Sequence, residues 1–308
     1  MKKHKIKFLF IVGAGRSGTS LLQSMLASHP VICMLPESHF ARNYLIKFKC
    51  IDKRIEAKLL SDKYIKRLDI GTSLPTLINI SPTPLQLYIK FFQVFNQSDD
   101  TLIYGDKDPR NIDYLTKIKT IIKESIFIHI IRDPRDVVLS RTKANWSKKL
   151  PFFLHAVIYS IHVSRGKKQG KILGKNCYYE IHYEDLISDP ETSLKSLCSF
   201  LKIEFDTSML TDFNLAAETL VSRNEIQWKK ETMGPLLNKN YGKWQSCLSD
   251  FQIKIIESIC SESFKDNQYT KHANSDNLTI EQNIRLFVYL AISKILRFTY
   301  GIRIILKK

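Results

Sequence analysis

Phe8-Leu-Phe-Ile-Val-Gly13-Ala-Gly15-Arg16-Ser17-Gly18-Thr19-Ser20 reads as a strand that runs through a glycine-rich turn into a helix. Its spacing, Gly13-x4-Gly18 followed by two hydroxyl residues, has the frame of the P-loop, Gly-x4-Gly-Lys-Ser/Thr, but Thr19 stands where the lysine belongs. The backbone amides of such a turn, with the positive end of the next helix, form a nest for an anion. The ammonium that grips the outer phosphates of a nucleoside triphosphate is missing, and a cation, Arg16, stands inside the loop instead. The loop is therefore expected to hold a phosphate group, but not ATP with magnesium.

A second element carries the same kind of signal. Ile126-Phe-Ile-His-Ile-Ile131 has the composition of a buried strand, and Arg132-Asp133-Pro134-Arg135-Asp136 follows it directly. Asp133 is a good N-cap and Pro134 a good first helical residue, so a helix is expected through Val137, Val138 and Ser140. Arg132 at the strand's carboxyl end and Ser140 one helix face later can then meet in the crevice where open α/β sheets bind ligands.

With these two motifs in order, the chain resembles the sulfotransferases that use 3′-phosphoadenosine 5′-phosphosulfate (PAPS). The bacterial-type enzymes and the branches acting on carbohydrate and on protein tyrosine are the nearest in pattern. Arg16-Ser-Gly-Thr-Ser20 matches the family's 5′-phosphosulfate loop, and Arg132 with Ser140 matches the pair that grips the 3′-phosphate. Tyr104-Gly-Asp-Lys107-Asp-Pro109 resembles the Lys-Asp-Pro segment, and Tyr183-Glu-Asp-Leu186 with Asp189-Pro190 resembles a strand-to-helix junction. Ser199-Phe-Leu-Lys-Ile203 resembles the end of the helix after it, and Gly242-Lys243-Trp244 the late cofactor loop. The resemblance implies donor contacts from Gly15, Arg16, Ser17, Gly18, Thr19, Ser20, Arg132, Ser140, Lys243 and Trp244.

The chemistry implied is in-line transfer of a sulfuryl group to an acceptor hydroxyl. It needs a base and cations placed where charge builds up. The resemblance gives Glu37, in Leu35-Pro-Glu-Ser-His39, the role of base, with His39 as the rival because other branches use histidine. It gives Arg16 the departing phosphate oxygen and Lys107 the opposite side of the sulfonate. The plain alternatives are a solvated carboxylate at 37, an ordinary helix-start residue at 39 and a surface ion-pair cluster at 106–108. Ser222 is a further hydroxyl candidate. No metal is expected, since the histidines are scattered and no cysteine pair has ligand spacing.

The predicted order is strand 7–12, helix 18–28, strand 31–34, a helical insertion over 39–98 and strand 101–105. A helix near 111–123, strand 126–131, helices 134–148 and 151–169, strand 177–182 and helix 190–201 follow. This is an α/β fold, a P-loop-type parallel sheet flanked by helices on both faces, with a helical insertion on the acceptor side. A domain over 1–265, with 40–100 as the acceptor cap, precedes an apolar and basic helical segment over 278–308.

The formal net charge is +17, and from Val137 to Tyr179 nine Lys and Arg face no acidic residue. Part of that field suits a polyanionic donor, and the rest suits an acidic glycan, a lipid-linked sugar or a membrane leaflet, unless it is solvated surface charge. A glycan hydroxyl is the expected acceptor, with a peptide tyrosine or a small phenol open. Segment 279–308 is apolar but punctuated by Arg285, Lys294, Arg297 and Arg303, which argues against a span and leaves a choice between membrane surface and domain packing. The six unpaired cysteines and the lack of a preceding anchor suggest a cytoplasmic protein. Two other functions stay in view: a P-loop nucleotide kinase, which Thr19 disfavours, and a non-catalytic nucleotide- or polyanion-binding protein. Nucleic acid is not an expected partner, because no recognition-helix or aromatic-interleaved basic strand is present.

Overall fold

The computed structural model describes residues 6–96, 98–220, 234, 240–267, 269–272 and 278–306. Five strands, β1 (Lys7–Gly13), β2 (Ile32–Met34), β3 (Ile103–Lys107), β4 (Ser125–Ile131) and β5 (Tyr178–His182), form one parallel sheet in the order β2-β3-β1-β4-β5. β1 and β4 are nearly all apolar because both faces of a parallel sheet are covered. Alternate residues of β1 serve two cores. Phe8, Phe10 and Val12 pack with the insertion, whereas Leu9 and Ile11 pack with the helices of the other face.

The connecting helices are α1 (Thr19–Ala27), α2 (Lys53–Ser61), α3 (Ser73–Asn79), α4 (Pro84–Phe95), α5 (Leu115–Ile121), α6 (Pro134–Lys143) and α7 (Phe152–Leu173). They continue as α8 (Tyr183–Ser188), α9 (Pro190–Leu201), α10 (Ser208–Thr211), α11 (Phe213–Leu220), α12 (Trp244–Cys247), α13 (Asp250–Ile259), α14 (Ser261–Asp266) and α15 (Ile280–Leu306). The insertion is helical but broken, with a π-turn at Ala41–Leu45 and a 3-10 turn at Lys66–Leu68. Its aromatic residues Phe40, Tyr44, Tyr88, Phe91 and Phe92 form an aromatic core over β1, with Phe40 stacked on Tyr88 and edge-on contacts from Phe40 to Phe91 and from Tyr88 to Phe92. α4 starts where Thr83-Pro84-x-Gln86 writes a capping box.

Several boundaries move. β3 extends to Lys107, because both of its faces are covered and the polar run Asp106-Lys107 is buried in the sheet. The helix expected over 111–123 divides into a 3-10 turn at Pro109–Asp113 and α5. α6 ends at Lys143 rather than 148: Ala144 turns extended, and Ser147 Oγ donates to Arg141 O at 2.6 Å, which folds the chain back toward α7. α8 was not anticipated, because Tyr183-Glu-Asp-Leu is too short to show a period.

α15 packs its inner face, Leu286, Tyr289, Leu290, Ser293, Leu296 and Tyr300, on the third core formed with α7 and α13. Arg297 donates to Ser160 Oγ at 2.6 Å and to the Ile259 carbonyl, and Tyr300 donates to Asp113 Oδ2 at 2.7 Å. Its opposite face exposes Ile280, Ile284, Phe287, Val288, Ile295, Phe298 and Ile302. Among the described residues no helix is long and apolar enough to cross a membrane.

Candidate active site

The glycine turn lies at the carboxyl end of β1, where its conformation demands glycine. Gly18 caps α1 with φ 96°, and a Cβ there would lie 2.3 Å from the Tyr183 ring. A Cβ on Gly13 would meet the Ile130 carbonyl at 2.7 Å, so the turn is pressed against β4. Arg16 also takes the left-handed region, at φ 81°, and its Nε donates to Ser140 Oγ at 3.0 Å. The two motifs that the sequence placed at separate strand ends thus touch. Ser17 is buried, while Gly15, Arg16, Thr19 and Ser20 line a cavity of about 700 Å³.

Across that cavity stand Glu37, His39 and Lys107. Lys107, opposite Ile11 in the sheet register, is buried and donates to the Glu37 carboxylate. His39, at φ 55°, places Nδ1 3.0 Å from Asp108 Oδ2 and 3.6 Å from Glu37 Oε1, and its ring meets Tyr64 edge-on at 4.1 Å. Arg42 pairs with the same Asp108 oxygen. Burial would push Asp108 up, but His39, Arg42 and the Arg110 amide hold its carboxyl below the usual carboxylate range. At neighbouring Asp106, burial followed by the charge of Asp108 outweighs the opposing pull of Tyr88 and His39 and pushes the carboxyl up to about 6. The 106–108 cluster is therefore not a surface feature. Glu37, His39 and Asp108 offer ligand atoms within 4.8 Å of one another. Lys107 and Arg42 already neutralise both carboxylates, so the arrangement fits an anion-transfer site better than a cation cage.

Arg132 does not line this cavity. It is buried, its guanidinium lies 4.1 Å from the Tyr183 ring centroid, and Nη2 donates to the Asn240 carbonyl at 2.7 Å. Tyr183 therefore presses on Gly18 and on Arg132 at once, and Glu184 accepts from the Asp133 amide at 2.8 Å. These contacts give the Tyr-Glu-Asp-Leu segment its purpose. The late loop docks on α6, where Asp136 accepts from the amides of Gly242 at 2.6 Å and Trp244 at 3.1 Å. The Trp244 indole is buried 3.7 Å from the Arg135 guanidinium, which puts it beside a second cavity of about 460 Å³ with Gly242 and His272. Lys243 is exposed next to it. Ser222 lies outside the described residues.

Sequence reasoning missed the cationic wall. Arg42, Lys63, Arg67, Arg110 and Arg141 line the main cavity with Tyr64, Trp146, His162 and Tyr300. The basic, aromatic character of 40–100 was the only available signal, and for Arg141 there was its place after Ser140. Of the nine Lys and Arg between Val137 and Tyr179, Arg165 and Lys167 are engaged: Arg165 pairs with Asp113 at 3.0 Å, and Lys167 donates to Asn267 Oδ1 at 2.7 Å.

A parallel sheet with a glycine turn at the end of its central strand, faced across one cavity by a carboxylate–lysine pair, has the architecture of the nucleotide-binding α/β class. A model of the sulfotransferase family matches residues 9–207, well over half of the chain, which therefore belongs to that family and is a PAPS-dependent transferase. Among curated proteins it is similar to protein-tyrosine sulfotransferase A of Caenorhabditis elegans, 23% identical over 278 residues that cover 88% of this chain and 69% of that one. A putative protein-tyrosine sulfotransferase of Caenorhabditis briggsae is 21% identical over 82% of this chain and 86% of its own. In fold it resembles the sulfotransferase domain of the Synechococcus olefin synthase, with TM-score 0.62, 22% identity, and 83% and 96% of the two chains covered. The sulfotransferase domain of the curacin biosynthetic pathway gives TM-score 0.67 at 17% identity, over 88% and 100%.

Proposed function

We propose that the enzyme moves the sulfuryl group of PAPS to a hydroxyl on an anionic acceptor, with Glu37 as base. The single observation that carries this reading is the Glu37–Lys107 pair facing Arg16 and the nest of Gly15–Ser20 across one cavity. Glu37 takes the proton of the acceptor hydroxyl as its oxygen bonds to sulfur. The bond from sulfur to the bridging phosphate oxygen breaks, and the products are the sulfate ester, 3′-phosphoadenosine 5′-phosphate (PAP) and protonated Glu37. Arg16 faces the leaving oxygen, and Lys107 faces the sulfonate from the other side. Arg132 and Ser140 take the 3′-phosphate, with Lys243 and Trp244 closing that side. His39 orients Asp108 and Arg42 rather than acting as base.

The cationic wall supports an acidic acceptor. Its aromatic residues Tyr64 and Trp146, together with relatives named as protein-tyrosine sulfotransferases, favour a tyrosyl hydroxyl in an acidic peptide over the sugar hydroxyl expected from sequence. The same cation and ring pairs also suit an acidic glycan, so an acceptor screen carries both. Glu37→Gln is expected to lower kcat by about 10²–10⁴ with PAP affinity kept within twofold by calorimetry. Full activity in that variant would remove Glu37 from its role. Turnover is expected to survive EDTA, and PAP to bind more tightly than ATP with magnesium; the opposite order would restore the kinase reading.

We infer in addition that the outer face of α15 lies on an anionic membrane surface on the reducing, cytoplasmic side, where the six free cysteines stay reduced. Ile280, Ala291 and Ile302, Ile284 and Ile295, and Phe287 and Phe298 repeat every eleventh residue. At 3.67 residues per turn this stripe runs almost straight along the helix, which suits a flat surface rather than a left-handed coiled partner. Exposed Arg285 and Lys294 flank it, on a chain of net charge +17.

A further inference from the structure

Among the described residues Arg141 and Arg132 are buried cations with no carboxylate in ion-pair distance, and of the two Arg141 lines the main cavity. Arg141 is 4% exposed, the same as Arg135, but Arg135 has Asp133 at 2.7 Å and Glu257 at 2.9 Å. Among the described residues no carboxylate lies within ion-pair distance of Arg141, and its Nε has no hydrogen-bond partner. The guanidinium sits 4.9 Å from the Trp146 ring centroid, and Nη1 would lie 3.4 Å from a Cβ on Gly15. The charge that acts on it is another cation: burial first, and Arg16 second, pull Arg141 down to about 10. A desolvated guanidinium with cationic neighbours is expensive to keep, and the expense is offset where a ligand anion arrives.

The surroundings are those of a built subsite. Arg141 lines the main cavity beside Trp146, Arg110 and buried His162, whose Nδ1 also lacks a partner. Trp146 is 51% exposed and rests on the glycine turn and on Arg141, so it offers an open ring face next to an unpaired fork of donors. A carboxylate or sulfate can take both guanidinium edges while the group that carries it stacks on the indole.

We propose that Arg141 and Trp146 form an anion subsite that holds an acidic group of the acceptor beside the hydroxyl to be sulfated. This rests on the sulfotransfer reading above and names its specificity determinant. Two sources can supply the anion, the acceptor or the transferred sulfuryl group itself, and donor loading separates them.

The probe is benzoate, with neutral benzamide as control, titrated by calorimetry into enzyme saturated with PAPS, whose sulfuryl group fills the transfer site, and into enzyme saturated with PAP. Benzoate is expected to bind the PAPS-loaded enzyme at least tenfold more tightly than benzamide. That preference should vanish in Arg141→Met, persist in part in Arg141→Lys and weaken in Trp146→Leu, with PAP affinity unchanged within twofold in all three. The ligand-free Arg141→Met protein should also melt higher than the parent, because an uncompensated cation has been removed, whereas a structural arginine would lower the midpoint. Benzoate binding to the PAP complex alone would assign Arg141 to the donor's sulfuryl group and overturn the proposal, as would equal benzoate affinity in Arg141→Met. Loss of PAP binding by the unmodified enzyme would instead fault the sulfotransfer reading, so the two failures are distinguishable.

Discussion

Arg16 and His39 share a left-handed backbone, at φ 81° and 55°, and neither is glycine. Each such residue costs on the order of 1 kcal/mol or more, and such strain persists where the surrounding structure over-determines it. Arg16 is held by the turn and Ser140, and His39 by Asp108 on one side and Tyr64 on the other. The strain thus aims two side chains of opposite walls into one cavity. A residue that tolerates this region but lacks the imidazole tests what His39 does. His39→Asn is expected to reduce kcat no more than about tenfold, against the far larger fall at Glu37. A loss equal to that of Glu37→Gln in steady-state kinetics would make His39 the base and Glu37 its partner.

At the level of elements, the glycine turn was legible because its constraints are local. Gly13 and Gly18 are needed for close approach and for positive φ, and the Asp133-Pro134 start of α6 is a cap that any sequence reader can find. What escaped was set by packing between distant segments. Asp106-Lys107 looks like a loop by composition but is strand, since the insertion buries it. The cavity wall is assembled from single cations in the insertion, after β3 and in α6, with no spacing to betray them. The junction at β5 and α8 was recognised by pattern, and its mechanical role became visible only as Tyr183 wedged between Gly18 and Arg132. Gly18→Ala drives a methyl into that ring at a positive φ. The expected result is at least a tenfold loss of PAP affinity by calorimetry, with the far-ultraviolet spectrum retained. Unchanged affinity would mean that the turn is not the donor's anion site.

On the scale of the whole molecule, buried titratable groups make the fold sensitive to acid. Burial, then the charges of Lys167 and other neighbours, pulls His129 down to about 3, and burial pulls His162 down to about 4. An unfolded chain would protonate both near 6.5, so between about 4 and 6.5 it binds more protons than the native state, and stability falls as pH falls. Asp106, raised to about 6, works in the other direction, adding stability as pH falls through that value, and burial raises Asp136 and Glu184 too, but burial also pulls down His155, to about 4, and His182, so four histidines oppose three carboxyls. The thermal midpoint is therefore expected to drop steadily from pH 7 to pH 5, and His129→Gln should make that slope shallower. A midpoint flat over that range would mean that the buried histidines are not neutral in the folded state.

The charge and apolar surface of the whole molecule meet along α15, which is anchored inward by Leu286, Arg297 and Tyr300 and so can expose a rigid stripe without unfolding. Apolar insertion and cationic attraction contribute separately to surface binding, and only the second is screened by salt. Vesicles with anionic headgroups are expected to sediment the protein at low salt far better than neutral vesicles do, with the difference shrinking above about 0.5 M salt. Phe287→Ser with Phe298→Ser, both exposed and away from the main cavity, should abolish the association while leaving PAP affinity and the thermal midpoint in place. Self-association of the parent protein in vesicle-free ultracentrifugation, lost in the same double variant, would instead assign the stripe to a second copy of the chain, and the membrane reading would fall.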